Sequence, residues 1–333
     1  MKLSVCISVH NTGKYIGRCL ESLLQQQMEG MEVILVNNGS TDDSETIMRT
    51  FMRNHPEMKL SLYVQEDRGL AQGRQTGVDH AHGDYIAFLD ADDYVLPGAY
   101  KKLYNKAIAD NLDIVEMQTM RGDEVLSTGF SETMKCIDMF KAYCRCGGDT
   151  IHTMLWMRIY RRSLFLKPVF PQFYTNNEDY FAFPCLMFAG RSIGFVNEPL
   201  HVYSVDNNDS VMNRLEHDPA YAERFYDSRV ITLKAFEHVW NYLEPAVREK
   251  MIDDLQLLKR IIVIGFLFRS YPGKKYESKM QDIVKNMDFS SEKEIIQFLG
   301  EEALSSRMLD KMIRLFGVKK AYYLTMLKNK LRT

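Results

Sequence analysis

The sequence predicts an α/β fold, a doubly wound and mostly parallel sheet followed by a helical region. Three observations carry this. From Leu3 to Met117, short apolar strand-like runs alternate with amphipathic helical stretches across short links. Such alternation builds parallel βαβ units. One run, Tyr85 to Leu89, is apolar throughout, as suits a strand covered on both faces, and it ends in Asp90, Asp92 and Asp93. Beyond about Arg214 the chain carries helix formers at amphipathic spacing and no glycine-rich loop.

Taken in order, Leu3–Val9 reads as a strand and Lys14–Gln26 as a helix with Ile16, Leu20, Leu23 and Leu24 on one face. Glu32–Val36 is a second strand, closed by Asn37-Asn38-Gly39-Ser40 as a turn cluster. Asp42 and Asp43 offer caps to a helix reaching about Asn54. Leu60–Val64 is a third strand and Leu70–Ala81 a third helix. The Tyr85–Leu89 strand follows, then a helix over Ala99–Asp110 and a strand at Ile114–Met117. Glycines punctuate a break between Arg121 and Asp149, and Trp156–Phe165 starts a second structured stretch in which Trp156 reads as core. The domains expected are 1–214 and a helical subdomain over 215–333.

Composition bounds the function. A chain of 333 residues is long enough for a sizeable core. Its net charge of −2 gives no ground for a nucleic-acid partner. The six cysteines lack paired zinc spacings, and Cys6 and Cys19 sit in apolar patterns, which suits a reducing cytoplasm. Met1–Val5 enters a strand directly, without signal-peptide architecture, and the longest apolar run, Ile261–Phe268, is too short to span a bilayer.

The carboxylate cluster is the strongest local signal. Ligands bind at the carboxyl ends of strands in open α/β sheets, and clustered carboxylates repel one another unless a cation sits between them. Oxygen ligands suit Mg²⁺ or Mn²⁺, which commonly also hold substrate phosphates. Helix capping by Asp92 or Asp93 ahead of Ala99 accounts for part of the cluster only. The first βα turn, Val9-His10-Asn11-Thr12-Gly13, lacks G-x-G-x-x-G spacing, which argues against a nicotinamide or flavin site. Glu178-Asp179, ahead of Phe181, Phe183, Leu186 and Met187, reads either as a functional pair or as a solvated pair opening a buried helix.

Five blocks together resemble the family 2 glycosyltransferases, inverting enzymes of GT-A fold, over roughly the first 215 residues. They are Ile7–Asn11 with Lys14-Tyr15-Ile16, Val36–Asp42, Gly69–Arg74 through Gly77, Gly83–Asp93, and Asn177–Phe181; Trp156–Leu164 resembles a segment of polysaccharide-assembling members. The resemblance implies that Val9, His10 and Asn38 hold the donor's base, with Asn11 among the donor-nucleotide-binding residues and Arg74 near the base or diphosphate. It places Asp90 on the ribose side, Ala91 among the donor-nucleotide-binding residues, and a divalent ion, Mn²⁺ or Mg²⁺, on Asp92, supported by Asp93. It makes Asp179 the general base, with Glu178 orienting the sugar or acceptor. A nucleotide-sugar donor, a glycan or lipid-linked acceptor and a role in surface polysaccharide assembly follow from the same resemblance.

Three departures qualify it. His10 stands where the family often has tyrosine, and Asn37-Asn38 where it usually has two aspartates, leaving uracil, thymine and guanine open as bases. Ser204 stands where many relatives have an arginine; if that arginine helps the diphosphate, His201 or another residue must substitute, or affinity is lower. The asparagines and Ser204 also support an alternative, a catalytically silent relative serving as a binding subunit. Finally, Arg307–Arg332 interleaves basic and apolar residues, as either a terminal helix packed on the fold or a peripheral contact with an anionic membrane.

Overall fold

The structure, a computed structural model, describes residues 1–146, 151–175, 178–207, 210 and 238–255. Its first half alternates as expected: β1 (Leu3–Val9), α1 (Gly13–Leu24), β2 (Met31–Asn38), α2 (Ser44–Asn54), β3 (Leu60–Gln65), α3 (Leu70–Asp79) and β4 (Tyr85–Phe88). Then come β5 (Tyr94–Val95), α4 (Ala99–Ala109), β6 (Ile114–Arg121), β7 (Glu124–Leu126), β8 (Met134–Lys135), α5 (Cys136–Cys146) and β9 (Arg158–Arg161). α6 (Asp179–Ala189), β10 (Ser192–Tyr203) and α7 (Pro245–Lys250) complete the described elements.

These strands form one sheet in the order β3-β2-β1-β4-β9-β6-β10-β5, with β7 on β6 and β8 on β10. β3, β2, β1 and β4 are mutually parallel, as their βαβ links require. Alternation along them sends side chains into two cores. Val5, Ile7, Val33, Leu35, Tyr85 and Ala87 pack beneath α1, α2 and α4, while Cys6, Ile34, Val36, Ile86 and Phe88 pack with α5 and α6 on the other face.

The remainder of the sheet corrects the parallel expectation. β9 inserts antiparallel to both β4 and β6, and β5, β7 and β8 are also antiparallel to their neighbours. Only β10 runs parallel to β6. Two arginines interrupt the apolar pattern of β9, so that it does not read as a buried strand. In the fold, Arg158 lies in register with Glu116 of β6, with which it forms a fully buried ion pair. β2 likewise extends through Asn37 and Asn38, which the sequence presents as a turn.

The expected caps of α2 divide unequally. Asp43 makes no side-chain cap bond, whereas Asp42 accepts the backbone N–H of Ser44 at 3.0 Å and that of Gly13 at 2.8 Å. It thereby ties the starts of α2 and α1 together. Of the expected helical subdomain, residues 238–255 are described, and Val239, Leu243, Met251 and Leu255 are buried in one cluster with Phe183, Leu186 and Met187 of α6. The apolar run at 261–268 and the basic tail lie outside the described residues.

Candidate active site

β1, β2, β3 and β4 end at one rim, and the segments leaving them bring together most of the residues singled out in the sequence. After β1 the chain turns through Asn11, at φ 52°, in the left-handed region that asparagine tolerates. Asn11 Nδ2 donates to His10 Nε2 at 3.3 Å, and His10 Nδ1 donates to the carbonyl of Asn38 at 2.9 Å. The two bonds hold the imidazole with its proton on Nδ1 and its ring exposed at the rim. Val9 contributes only main chain there, since its side chain is fully buried and its carbonyl accepts the Ser40 hydroxyl.

Asn38 is placed differently from the expectation of a free base-reading amide. It is buried, with Nδ2 donating to Asp67 Oδ1 and to the Gly69 carbonyl, both at 3.2 Å, and Oδ1 accepting from Gln65 Nε2 at 2.8 Å. Asn37 bonds Glu45 at 2.7 Å and accepts the Ser40 N–H. Both amides therefore shape the rim from within. The exposed polar group beside them is Asp67, whose Oδ2 accepts the Tyr174 hydroxyl at 3.2 Å. Gly39 lets the two segments meet, at φ 75° and with room for no side chain, because a Cβ would stand 2.6 Å from the Asp67 nitrogen.

The carboxylates after β4 separate into three environments. Asp90 reaches across to Arg74 of α3, accepting from NH2 at 2.7 Å, while Ala91 is buried. Asp92 accepts from Asn207 Nδ2 at 2.7 Å; burial and repulsion from Asp90 raise its pKa. Asp93 turns inward, away from any ion at the rim. It is buried, accepts the Ser204 N–H at 2.8 Å, and sets its second oxygen 3.4 Å from His201 Nε2. His201 is itself fully buried and stacked on Trp156 at 4.3 Å between centroids, as the core reading of Trp156 expects. Burial lowers its pKa to about 3 and raises that of Asp93 well above the usual carboxylate range. Burial disfavours the charged form of each, so His201 is poorly placed to be the replacement cation that Ser204 calls for.

A cationic side chain does reach Ser204, from α1. Arg18 donates through NH2 to Ser204 Oγ at 2.7 Å and to the Asp92 carbonyl at 3.1 Å, with Asp206 Oδ2 3.3 Å from NH1. Its guanidinium lies 5.0 Å above the centre of the Tyr94 ring. Nothing in the amphipathic pattern of α1 distinguishes this arginine from an ordinary solvated one; its partners are remote in sequence.

Arg74 joins the two acidic motifs. Its NH1 lies 2.6 Å from Glu178 Oε1 and 3.0 Å from Asp179 Oδ1, and the guanidinium sits 5.6 Å from the centre of the Phe88 ring. It is buried among these acids and serves as their counter-ion, rather than presenting itself to a base. Glu178 is buried; desolvation, opposed by Arg74 and reinforced by Asp179, pushes it up to about 8. Asp179, at the first turn of α6, is partly exposed, and burial raises its pKa against the pull of Arg74 and a backbone hydrogen bond from Leu155. Burial thus favours the protonated form of both acids, with Arg74 opposing it at each.

Among the described residues no three side chains are pre-assembled into a metal site. Asp92 nevertheless fits a divalent ion held by one carboxylate and substrate phosphates, because Asp90 already disfavours its charge and a cation would relieve the repulsion.

Residues 4–167 match the model of glycosyl transferase family 2. The chain is 33% identical to the uncharacterized glycosyltransferase YibD of Escherichia coli K12 over 179 residues, half of each chain. It is 29% identical to the putative glycosyltransferase EpsH of Bacillus subtilis 168 over 300 residues, covering 84% of this chain and 81% of EpsH. Among solved structures, the 1–349 fragment of S. aureus TarS with UDP-GlcNAc matches at TM-score 0.66 and 18% identity, over 99% of this chain and 92% of that one. The mannosyltransferase PcManGT of Pyrobaculum calidifontis, with GDP-Man and Mn²⁺, matches at TM-score 0.53 and 14% identity, over 98% and 86%. At such identities the structural likeness speaks for the fold.

Proposed function

Since the chain belongs, through residues 4–167, to glycosyl transferase family 2, a family of transferase enzymes, we propose that it moves a sugar, with inversion, from a nucleotide-diphosphate sugar to a hydroxyl of a glycan or lipid-linked acceptor in surface polysaccharide assembly. One observation carries this reading: Arg74 joins Asp90, beside the metal candidate Asp92, to Asp179, which is partly exposed and able to take a proton. Donor and acceptor chemistry would thus share one rim. The UDP-GlcNAc bound by TarS and the GDP-Man and Mn²⁺ of PcManGT support a nucleotide-sugar donor with a divalent ion. The exposed His10 ring offers a stacking face to the base, with Asp67 replacing Asn38 as the nearest acceptor for a base N–H. That acceptor suits the N3–H of uracil or thymine and the N1–H of guanine alike.

In the step proposed, the acceptor oxygen attacks the anomeric carbon from the face opposite the diphosphate and the new C–O bond forms. The old bond breaks as the diphosphate departs with its electron pair, and Asp179 takes the acceptor's proton. Mn²⁺ or Mg²⁺, held by Asp92, would supply charge stabilisation to the departing diphosphate. Glu178, protonated at neutral pH, orients sugar or acceptor and spares Asp179 a second negative neighbour. The asparagine and serine departures do not argue for a silent relative, because Asn37 and Asn38 build the rim and Arg18 attends Ser204.

We place the reaction on the cytoplasmic side of the membrane, a placing supported by the buried free thiols of Cys6, Cys19, Cys136 and Cys185. No helix among the described residues is long and apolar enough to cross a membrane. Peripheral docking through the basic tail remains part of the proposal.

The test is calorimetry of UDP binding with and without Mn²⁺. Wild type should bind UDP tightly only with the ion, and Asp92→Asn should lose most of that gain. Equal affinity in all four conditions would remove Asp92 from ion binding.

A further inference from the structure

We propose that Arg18 is the cation that grips the donor's diphosphate beside Asp92, reaching it from α1; this rests on the nucleotide-sugar reading above. The guanidinium has two kinds of contact. The short ones, to Ser204 Oγ at 2.7 Å and to the Asp92 carbonyl at 3.1 Å, fix its head against the turn that carries the metal candidate. The long ones, 3.3 and 3.4 Å to the carboxylate of Asp206, face solvent, with Arg18 41% and Asp206 58% exposed. A solvated ion pair of this kind contributes little, so a phosphate can displace Asp206 at small cost. The planar fork of arginine suits two phosphate oxygens, and its charge is permanent. Tyr94 beneath the guanidinium and Tyr15, whose hydroxyl donates to the Asp206 carbonyl at 3.3 Å, keep α1 and the 204–206 segment in place during that exchange.

The need for such a cation is visible in the charges around it. Asp90, Asp92, Glu178 and Asp179 line the rim or lie just beneath it, and Arg74 is buried among them. A diphosphate arriving there meets an acidic surface, and Arg18 is the partly exposed guanidinium that the fold itself sets against Asp92. Ser204 is small enough to let the head of Arg18 rest on its hydroxyl, so the charge comes from α1 rather than from the end of β10.

The experiment compares UDP and UMP affinities, in Mn²⁺, for wild type, Arg18→Ala, Arg18→Lys and the double variant Arg18→Ala/Ser204→Arg. A lost charge-assisted contact should weaken UDP about ten- to a hundredfold in Arg18→Ala, while UMP weakens less than about threefold. Lysine should retain part of the affinity, and the double variant should regain most of it, because the charge returns to the same place from the other side. Equal losses for UDP and UMP would make Arg18 a structural clamp and overturn the assignment, as would an unchanged UDP affinity. Failure of wild type to bind UDP at all would instead overturn the donor reading, before any variant is compared.

Discussion

At the scale of single residues, burial favours the protonated acids of the site, and Arg74 opposes it with one positive charge among three carboxylates. Glu178 holds its proton up to about pH 8, chiefly because its charged form is desolvated. In an unfolded chain the same group ionises near its ordinary value of 4.5. Between those values the folded state binds the extra proton, so stability falls as pH rises through the interval. In the nucleotide-free protein, melting temperature should therefore decline from about pH 5 to about pH 8, and Glu178→Gln should flatten that decline because an amide does not titrate. Parallel profiles for the two proteins would refute the protonated Glu178. Asp90, Asp92 and Asp179 were legible in the sequence, since each belongs to a motif of consecutive residues. The inward turn of Asp93 was not legible, because it depends on Ser204 and His201, more than a hundred residues away.

At the scale of elements, the site depends on β9, the strand that no apolar run announces. Arg158 is fully buried, donates to Glu116 Oε2 at 2.7 Å, and holds the carbonyls of Met154 and His152 at 2.9 and 2.7 Å. That turn leads into Leu155, whose backbone hydrogen bond reaches Asp179. Removing the arginine leaves Glu116 charged and buried, with Thr128 as its remaining donor. Arg158→Met should destabilise the fold by about 3–5 kcal/mol, and adding Glu116→Gln should recover part of the loss. Urea unfolding measures both, and a single-variant cost below about 1 kcal/mol would show that the pair does not hold the turn. The parallel half of the fold could be read from Val33–Val36 and Tyr85–Leu89, whose apolar runs match burial on both faces. Of the rest, only Ile114–Met117 at the start of β6 could be read, because β9 carries Arg158 opposite Glu116 and β10 carries Pro199 at a register shift, positions that only tertiary pairing explains. An arginine and a glutamate at inward strand positions are the one sequence signal that could have suggested β9.

At the scale of the whole molecule, two cores clamp a single sheet whose parallel strand ends form an acidic rim, and α6 delivers its first turn to the same place. In the proposed reading, the donor groups come from the alternating half of the chain and the proton acceptor from α6, joined through Arg74. If this division is right, the two halves are separable by substitution. Asp179→Asn preserves shape and leaves Asp92 and Arg18 untouched, so donor binding with Mn²⁺ should stay within about threefold of wild type while transfer falls about 10²–10⁴-fold. Turnover and donor affinity measured on one preparation of Asp179→Asn test the central claim most directly. Near-normal transfer, or loss of donor binding in step with transfer, would contradict it.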